Sequence, residues 1–367
     1  MRRIALYPYD VSSLHLLLHS SMMNISGDDM IACVAPRGWG YENEDAGYKV
    51  GIKTDVLVKS DFDSLVNDID VLIVTESVLP LHSTDIAEKI ERVLDNGKRV
   101  IVLRKMEAGL EKQLEKKAYG NRNLELYTGN QLNLYADIEM EDTSIEEIPA
   151  PIILVLGSGE RCCKFDVQLE LREALLEHGY ALTQIGSKNY CESLGFHSFP
   201  DFMLDHSGYT EREKMIGFNK YVKMLYMKEK PDVIIIGVPG GVFAFDEYFN
   251  NHFGITNFYV SNAIIPDYVI FNSLYVDALS EYLDTLKLRL NDKYGYETDQ
   301  IFISNYALNY AVSKSDKKLS YLTCKTSSVL ERANGLDVYN IYDHGSKKNA
   351  IHKLLDTLQE YANISII

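Results

Sequence analysis

The sequence predicts an α/β protein of two domains, and three observations predict it. Apolar strands alternate with helical stretches through the first 127 residues, the pattern of a parallel sheet covered on both faces. The same alternation starts again at Pro151, after an acidic stretch that ends in two prolines. At that restart the apolar run Ile152 to Leu156 drives into Gly157-Ser158-Gly159, and a helix-like stretch follows to Gly179. A strand, a glycine turn and a helix N-terminus make an anion cradle, because free N–H groups and the helix dipole converge on one spot.

Taken in order, residues 3–8 read as a first strand, followed by a helix-compatible stretch to Met23. Met30 to Ala35 is a second strand, Thr54 to Val58 a short third and Val71 to Thr75 a buried fourth. Ser83 to Asp95 is a helix with Ser83 or Thr84 as its N-cap and Gly97 as its stop. Arg99 to Leu103 is a strand, Glu107 to Lys117 a helix and Leu124 to Tyr127 a last short strand. This half, residues 1–148, is expected to be Rossmann-like, with residues 134–151 as strand and linker. Its first turn, Pro8 to Ser13, lacks the glycine fingerprint of dinucleotide sites.

Residues 149–367 are expected to form a degenerate P-loop-like α/β domain. Thr210 to Lys228 is a long helix with a capping box at Thr210 and Glu213. Pro231 to Gly241 is a buried strand opening into a glycine turn, and Phe258 to Ser261, Tyr268 to Phe271 and Ile301 to Asn305 read as further strands. Asp277 to Asp292 and Lys347 to Ala362 read as amphipathic helices.

Composition narrows the function. With 46% hydrophobic and 25% charged residues the chain has the balance of a globular protein, and no apolar run approaches the roughly 20 residues of a spanning helix. The N-terminus reads as a strand rather than a signal peptide, so a cytoplasmic location and no membrane partner are expected. A net charge of −16 argues against a nucleic-acid surface. Five cysteines, an odd number and widely spread, do not make a disulfide framework.

The chemistry-bearing residues gather in a few places. Lys164 stands where a phosphate-binding lysine would, but Cys163 takes the place of the last glycine and Phe165 that of the hydroxyl. Gly157, Ser158, Gly159 and Lys164, with the turn Pro239, Gly240 and Gly241, are the candidate anion-binding residues. Arg37 and Trp39 lie in a loop leaving the carboxyl end of the second strand, where open α/β sheets bind ligands. They are further ligand candidates, the plain alternative being a surface turn. Cys162 and Cys163, beside a lysine and a helix N-terminus, are candidate reactive thiols, and His197 a candidate base. Cys162, Cys163, Cys191 and His197 lack a C-x-x-C spacing, and no metal is expected.

The frame G-S-G-E-R-C-C-K-F resembles the variant loop of the dethiobiotin-synthetase-like group, G-T-D-x-x-V-G-K-[TM]. That group also has a buried strand ending in E-G-x-G, whose glutamate serves nucleotide-bound magnesium; here Gly237 replaces the glutamate. Magnesium needs hard oxygen ligands, and Phe165 and Gly237 supply none, so nucleotide turnover is not expected. The chain further resembles the clostridial peptide-maturation-system proteins of natural-product biosynthesis. That likeness is carried by Gly38 to Tyr41, Asp45 to Gly47, Lys164 to Leu169, Gly195 to Pro200 and Pro239 to Gly241. It implies an accessory protein that binds a peptide, a carrier or an anionic small molecule, with a precursor peptide or maturation enzymes as partners. Acyl or amide transfer with coenzyme A held at the loop is the alternative, and a nucleotide-dependent ligase the third. The sequence names no cofactor and leaves a homodimer open.

Overall fold

The structure is a computed structural model that describes residues 2–23, 25, 29–127, 144–204 and 208–364, the last four through their backbone alone. The expected linker falls outside these residues as far as position 143. The described residues divide into two compact units, one within Met1–Asn130 together with Asn189–Gly195, the other within Gln131–Lys188 and Phe196–Ile367.

The first unit runs β1 (Arg3–Tyr7), α1 (Leu14–Leu18), β2 (Met30–Val34), β3 (Val58–Lys59), α2 (Phe62–Leu65), β4 (Val71–Val74), α3 (Ser83–Asp95), β5 (Arg99–Val102), α4 (Ala108–Gly120) and β6 (Leu124–Leu126). All its strand pairs are parallel, in the order β3-β2-β1-β4-β5-β6. This is the doubly wound order, whose switch point lies between β1 and β4. Val71 to Val74 is buried along its whole length, and Ile86, Ile90 and Val93 of α3 cover it at helical spacing. The third strand is shorter than its sequence suggests. Only Val58 and Lys59 pair with β2, while Leu57 makes an isolated bridge to Asp45. The N-cap of α3 is His82, one residue before the expected hydroxyls.

At the switch point the chain fills its own ligand position. Asp10 follows β1, is 1% exposed, and accepts hydrogen bonds from the Ser12 amide at 2.8 Å and the Val78 amide at 2.6 Å. The Ser12 hydroxyl also donates to it. A carboxylate thus sits where a Rossmann sheet receives phosphate, and the missing glycine fingerprint has a structural counterpart.

The second unit runs β7 (Ile152–Gly157), α5 (Lys164–Glu177), β8 (Leu182–Gly186), β9 (His197–Ser198), α6 (Glu211–Glu229), β10 (Val233–Gly237), α7 (Ile255–Ala263), β11 (Tyr268–Tyr275), α8 (Leu279–Tyr294), β12 (Gln300–Leu308), α9 (Tyr310–Asp316), β13 (Tyr321–Thr323), α10 (Thr326–Ala333) and α11 (His344–Ile364). Its sheet has the order β13-β12-β11-β7-β10-β8-β9 and is parallel except for the β12–β13 edge pair. Every residue of β7 is buried, as the continuous apolar run required of a strand covered on both faces. Thr210 and Glu213 form the expected capping box on α6. One element differs in kind: Phe258 to Ser261, expected as a strand, lies inside α7. Its aromatic and β-branched residues suit either state, and Tyr259, Val260 and Ala263 fall on one buried helical face.

If Asp10 closes the switch point, Asp10→Ala leaves buried amides without an acceptor. Urea unfolding of that variant is expected to show a loss of about 2–3 kcal/mol in the first unit. An unchanged midpoint would make the carboxylate dispensable.

Candidate functional site

The loop after β7 is the centre of the second unit. Ser158 anchors its start: its amide donates to Asn272 O at 2.8 Å and its hydroxyl accepts from Leu274 N at 3.0 Å. Cys163 caps α5 at a φ of 59°, left-handed where the related pattern has glycine. Arg161 is left-handed as well, at 65°. These two turns leave the amides of Glu160, Arg161, Cys162 and Cys163 without an acceptor among the described residues, at the N-terminus of a 14-residue helix. That is the arrangement that binds anions.

The charges agree with the backbone. Lys164 is 7% exposed, and its ammonium donates to the carbonyl of Gly240. Among the described residues no carboxylate lies within ion-pair distance of it. A buried cation at the positive end of a helix dipole is doubly unfavourable without an anion. Against the upward push of the surrounding protein, Lys164, Lys188 and Arg161 hold the Glu160 carboxyl below its ordinary value. Three cations therefore act on this one carboxylate.

The positions that would serve magnesium are filled otherwise. Phe165 is a core residue, 4% exposed, with its ring 6.4 Å from that of Phe196. A Cβ on Gly237 would stand 2.0 Å from Gln168 Oε1 and 2.1 Å from its Cδ. Gln168 is fixed there: its amide nitrogen donates to Lys164 O at 2.9 Å and Ser187 Oγ at 3.0 Å, and its oxygen accepts from Ser187 N at 3.1 Å. Nothing larger than glycine fits at 237 while Gln168 stays in place.

The second wall is the segment after β10. Val242 N donates to Gly157 O at 3.1 Å, and a Cβ on Gly241 would meet both Ser158 O and Asn251 Nδ2 at 2.7 Å. Asn251 donates to Phe243 O at 2.8 Å and Ser158 O at 3.2 Å. It begins a left-handed turn in which Asn251, His252, Phe253 and Gly254 have φ of 48°, 50°, 53° and 71°. Such backbone costs about 1–2 kcal/mol for a non-glycine residue and persists only where its surroundings impose it. Here Asn250 receives the His252 and Phe253 amides, while Lys293 and Tyr294 of α8 donate to the Phe253 and Gly254 carbonyls.

The structure therefore brings Gly157, Ser158, Gly159, Lys164, Gly240 and Gly241 together, with Pro239 leading into the turn. Arg37 and Trp39 belong to the first unit, Arg37 exposed and Trp39 half-buried. Their loop is pinned nearby by Asp45, which accepts the Gly47, Thr54 and Asp55 amides at 2.8–3.0 Å. Cys162 and Cys163 are buried, and burial pushes both thiols up, outweighing the opposite pull of Lys164 on Cys162. Neither is poised as a thiolate in the folded chain. Cys162 instead donates to Gly159 O at 3.1 Å, and Cys163 packs on Tyr342, whose hydroxyl donates to Asp166 at 2.8 Å. His197 is held by Glu229 at 2.7 Å, and Glu229 also receives the Thr183 hydroxyl, so the imidazole is tied to the end of α6. Cys191 falls in a different unit from Cys162, Cys163 and His197.

Comparison with known proteins agrees with this fold. No protein-family model matches the chain, and no curated protein matches it. Among solved structures it is similar to a DUF1611 family protein from Anabaena variabilis, with a TM-score of 0.55 and 12% identity over 98% of this chain and 100% of that one. That likeness shows the two-domain α/β fold. A GTPase in apo form from Pyrococcus abyssi gives a TM-score of 0.25 at 15% identity, over 46% of this chain and 71% of that one, and carries no argument. No helix among the described residues is long and apolar enough to cross a membrane.

The packing of Gln168 on Gly237 can be measured. Gly237→Ala is expected to cost about 1–3 kcal/mol by overpacking. Combined with Gln168→Ala, the loss in thermal unfolding should fall at least about 0.5 kcal/mol short of the sum. Strict additivity would mean the two residues do not compete for the same space.

Proposed function

We propose that the chain binds an anionic ligand at the Gly157–Lys164 loop without hydrolysing nucleotide. The observation that carries this reading is a buried Lys164 with no carboxylate within ion-pair distance among the described residues, beside free amides at a helix N-terminus. The filled magnesium positions, Phe165 and Gly237, support the absence of turnover. Within that reading the protein is an accessory factor of peptide or natural-product maturation, and its ligand is a peptide, a carrier or an anionic small molecule. This finer role rests on the resemblance of Gly38 to Tyr41, Asp45 to Gly47, Lys164 to Leu169, Gly195 to Pro200 and Pro239 to Gly241 to the clostridial maturation proteins. A precursor peptide or a maturation enzyme is the partner it implies, and a cytoplasmic location goes with that role.

Acyl or amide transfer is the second reading. Arg161 and Lys164, beside the open amides of the loop, would hold the phosphates of coenzyme A without cleaving them. Thermal stabilisation separates the readings, since only a protein that binds acyl-coenzyme A is stabilised by it.

Two measurements test the common core. Purified protein with ATP or GTP and magnesium should release no more phosphate than Lys164→Ala does. In calorimetry with pyrophosphate, Lys164→Ala should weaken binding by about 1–2 kcal/mol, the scale of a charge-assisted contact. Steady phosphate release above the variant, or an unchanged affinity in it, would defeat the proposal.

A further inference from the structure

Helix α8 carries Arg289 and Lys293 one turn apart, so both project from the same side. They line an open surface cavity of about 420 Å³ together with Phe243, Ala244, Phe253 and Asp292. The volume is in the range of small-molecule sites.

Three observations point to what the cavity takes. The Arg289 guanidinium lies over the Phe243 ring, 4.2 Å from its centroid, and has no hydrogen-bond or ion-pair partner among the described residues. Stacking fixes the plane of the fork and leaves its N–H groups free for an oxyanion. Lys293 stands 5.5 Å from the same ring and, among the described residues, donates to the carbonyls of Phe253 and Val242. Burial first, and the charge of Arg289 second, lower its pKa. Asp292 lines the cavity but pairs with neither cation. Two like charges at this spacing oppose each other, and neither forms an ion pair among the described residues.

The third observation is Phe253. Its side chain is on a left-handed backbone turn, clamped by Asn250, Lys293 and Tyr294, and it is 66% exposed. The bonds that hold this turn leave an apolar ring exposed beside the cavity, where its face is open to stacking. An exposed phenyl, a stacked guanidinium and an ammonium bonded to backbone carbonyls complement a flat ring bearing an acid group. The ring stacks on Phe253 and the acid takes the fork of Arg289.

We propose that this cavity binds a small organic anion in which a phosphate or carboxylate is joined to a planar ring. The inference goes beyond the reading of the 157–164 loop and stands without it.

The experiment titrates the full chain with phenyl phosphate and with benzoate, following ring-proton line broadening by nuclear magnetic resonance. Phenol serves as the ring half observed directly, and inorganic phosphate as a competitor that should reverse the broadening of a ring phosphate. At least one ring acid should broaden where phenol does not, and the stronger of the two identifies the acid group. Arg289→Gln should weaken that binding roughly tenfold, and Phe253→Ala should weaken it as well. Both positions are exposed, and circular dichroism of each variant should match the parent. Absence of binding by either ring acid would overturn the proposal, as would full affinity in Arg289→Gln. Loss of binding in Lys164→Ala with Arg289→Gln unaffected would place the ligand at the loop and overturn it too.

Discussion

The side-chain amide of Gln168 against the bare Cα of Gly237 is the constraint from which the second unit's chemistry follows. That amide ties the first turn of α5 to the end of β8 through Lys164 O and Ser187. It occupies the space any side chain at 237 would need. With Phe165 drawn into the core beside Phe196 and Gly237 bare, neither position brings a hydroxyl or carboxylate to the loop. What survives is electrostatic: free amides, a helix dipole and a buried ammonium.

The two units treat the same structural opportunity in opposite ways. Each has a strand that leads through a turn into a helix at the carboxyl edge of a parallel sheet. In the first, Asp10 supplies its own carboxylate to the amides of Ser12 and Val78. In the second, the loop supplies cations and leaves its amides open. A self-filled site repels an anion, whereas a cationic open one recruits it. The same fold thus gives one structural turn and one ligand-binding candidate, and the difference rests on a few side chains.

Much of the fold could be read from the sequence because local signals agreed with the global arrangement. The buried runs of β4, β7 and β10, the glycine stops at Gly97 and Gly179 and the capping box of α6 all say the same thing locally and globally. Phe258 to Ser261 was misleading because four apolar and polar residues in a row fit a strand or a helix, and only the packing of Tyr259 and Val260 decides. The strand, glycine turn and helix around Gly157 were legible in the sequence. Gln168 was not, since a polar residue inside an apolar helix gives no hint that it will meet a glycine 69 positions later. The left-handed turn at Asn251 left only a weak trace: Asn and Gly tolerate that backbone, but His252 and Phe253 do not advertise it.

The central claim is that the loop binds anions by fixed amides and Lys164, with no role for a divalent cation. Pyrophosphate affinity measured by calorimetry, with magnesium and with excess chelator, tests it most directly. The account predicts the same dissociation constant in both, apart from the fraction of pyrophosphate that magnesium sequesters in solution. Binding that appears or strengthens only when magnesium is present would contradict it.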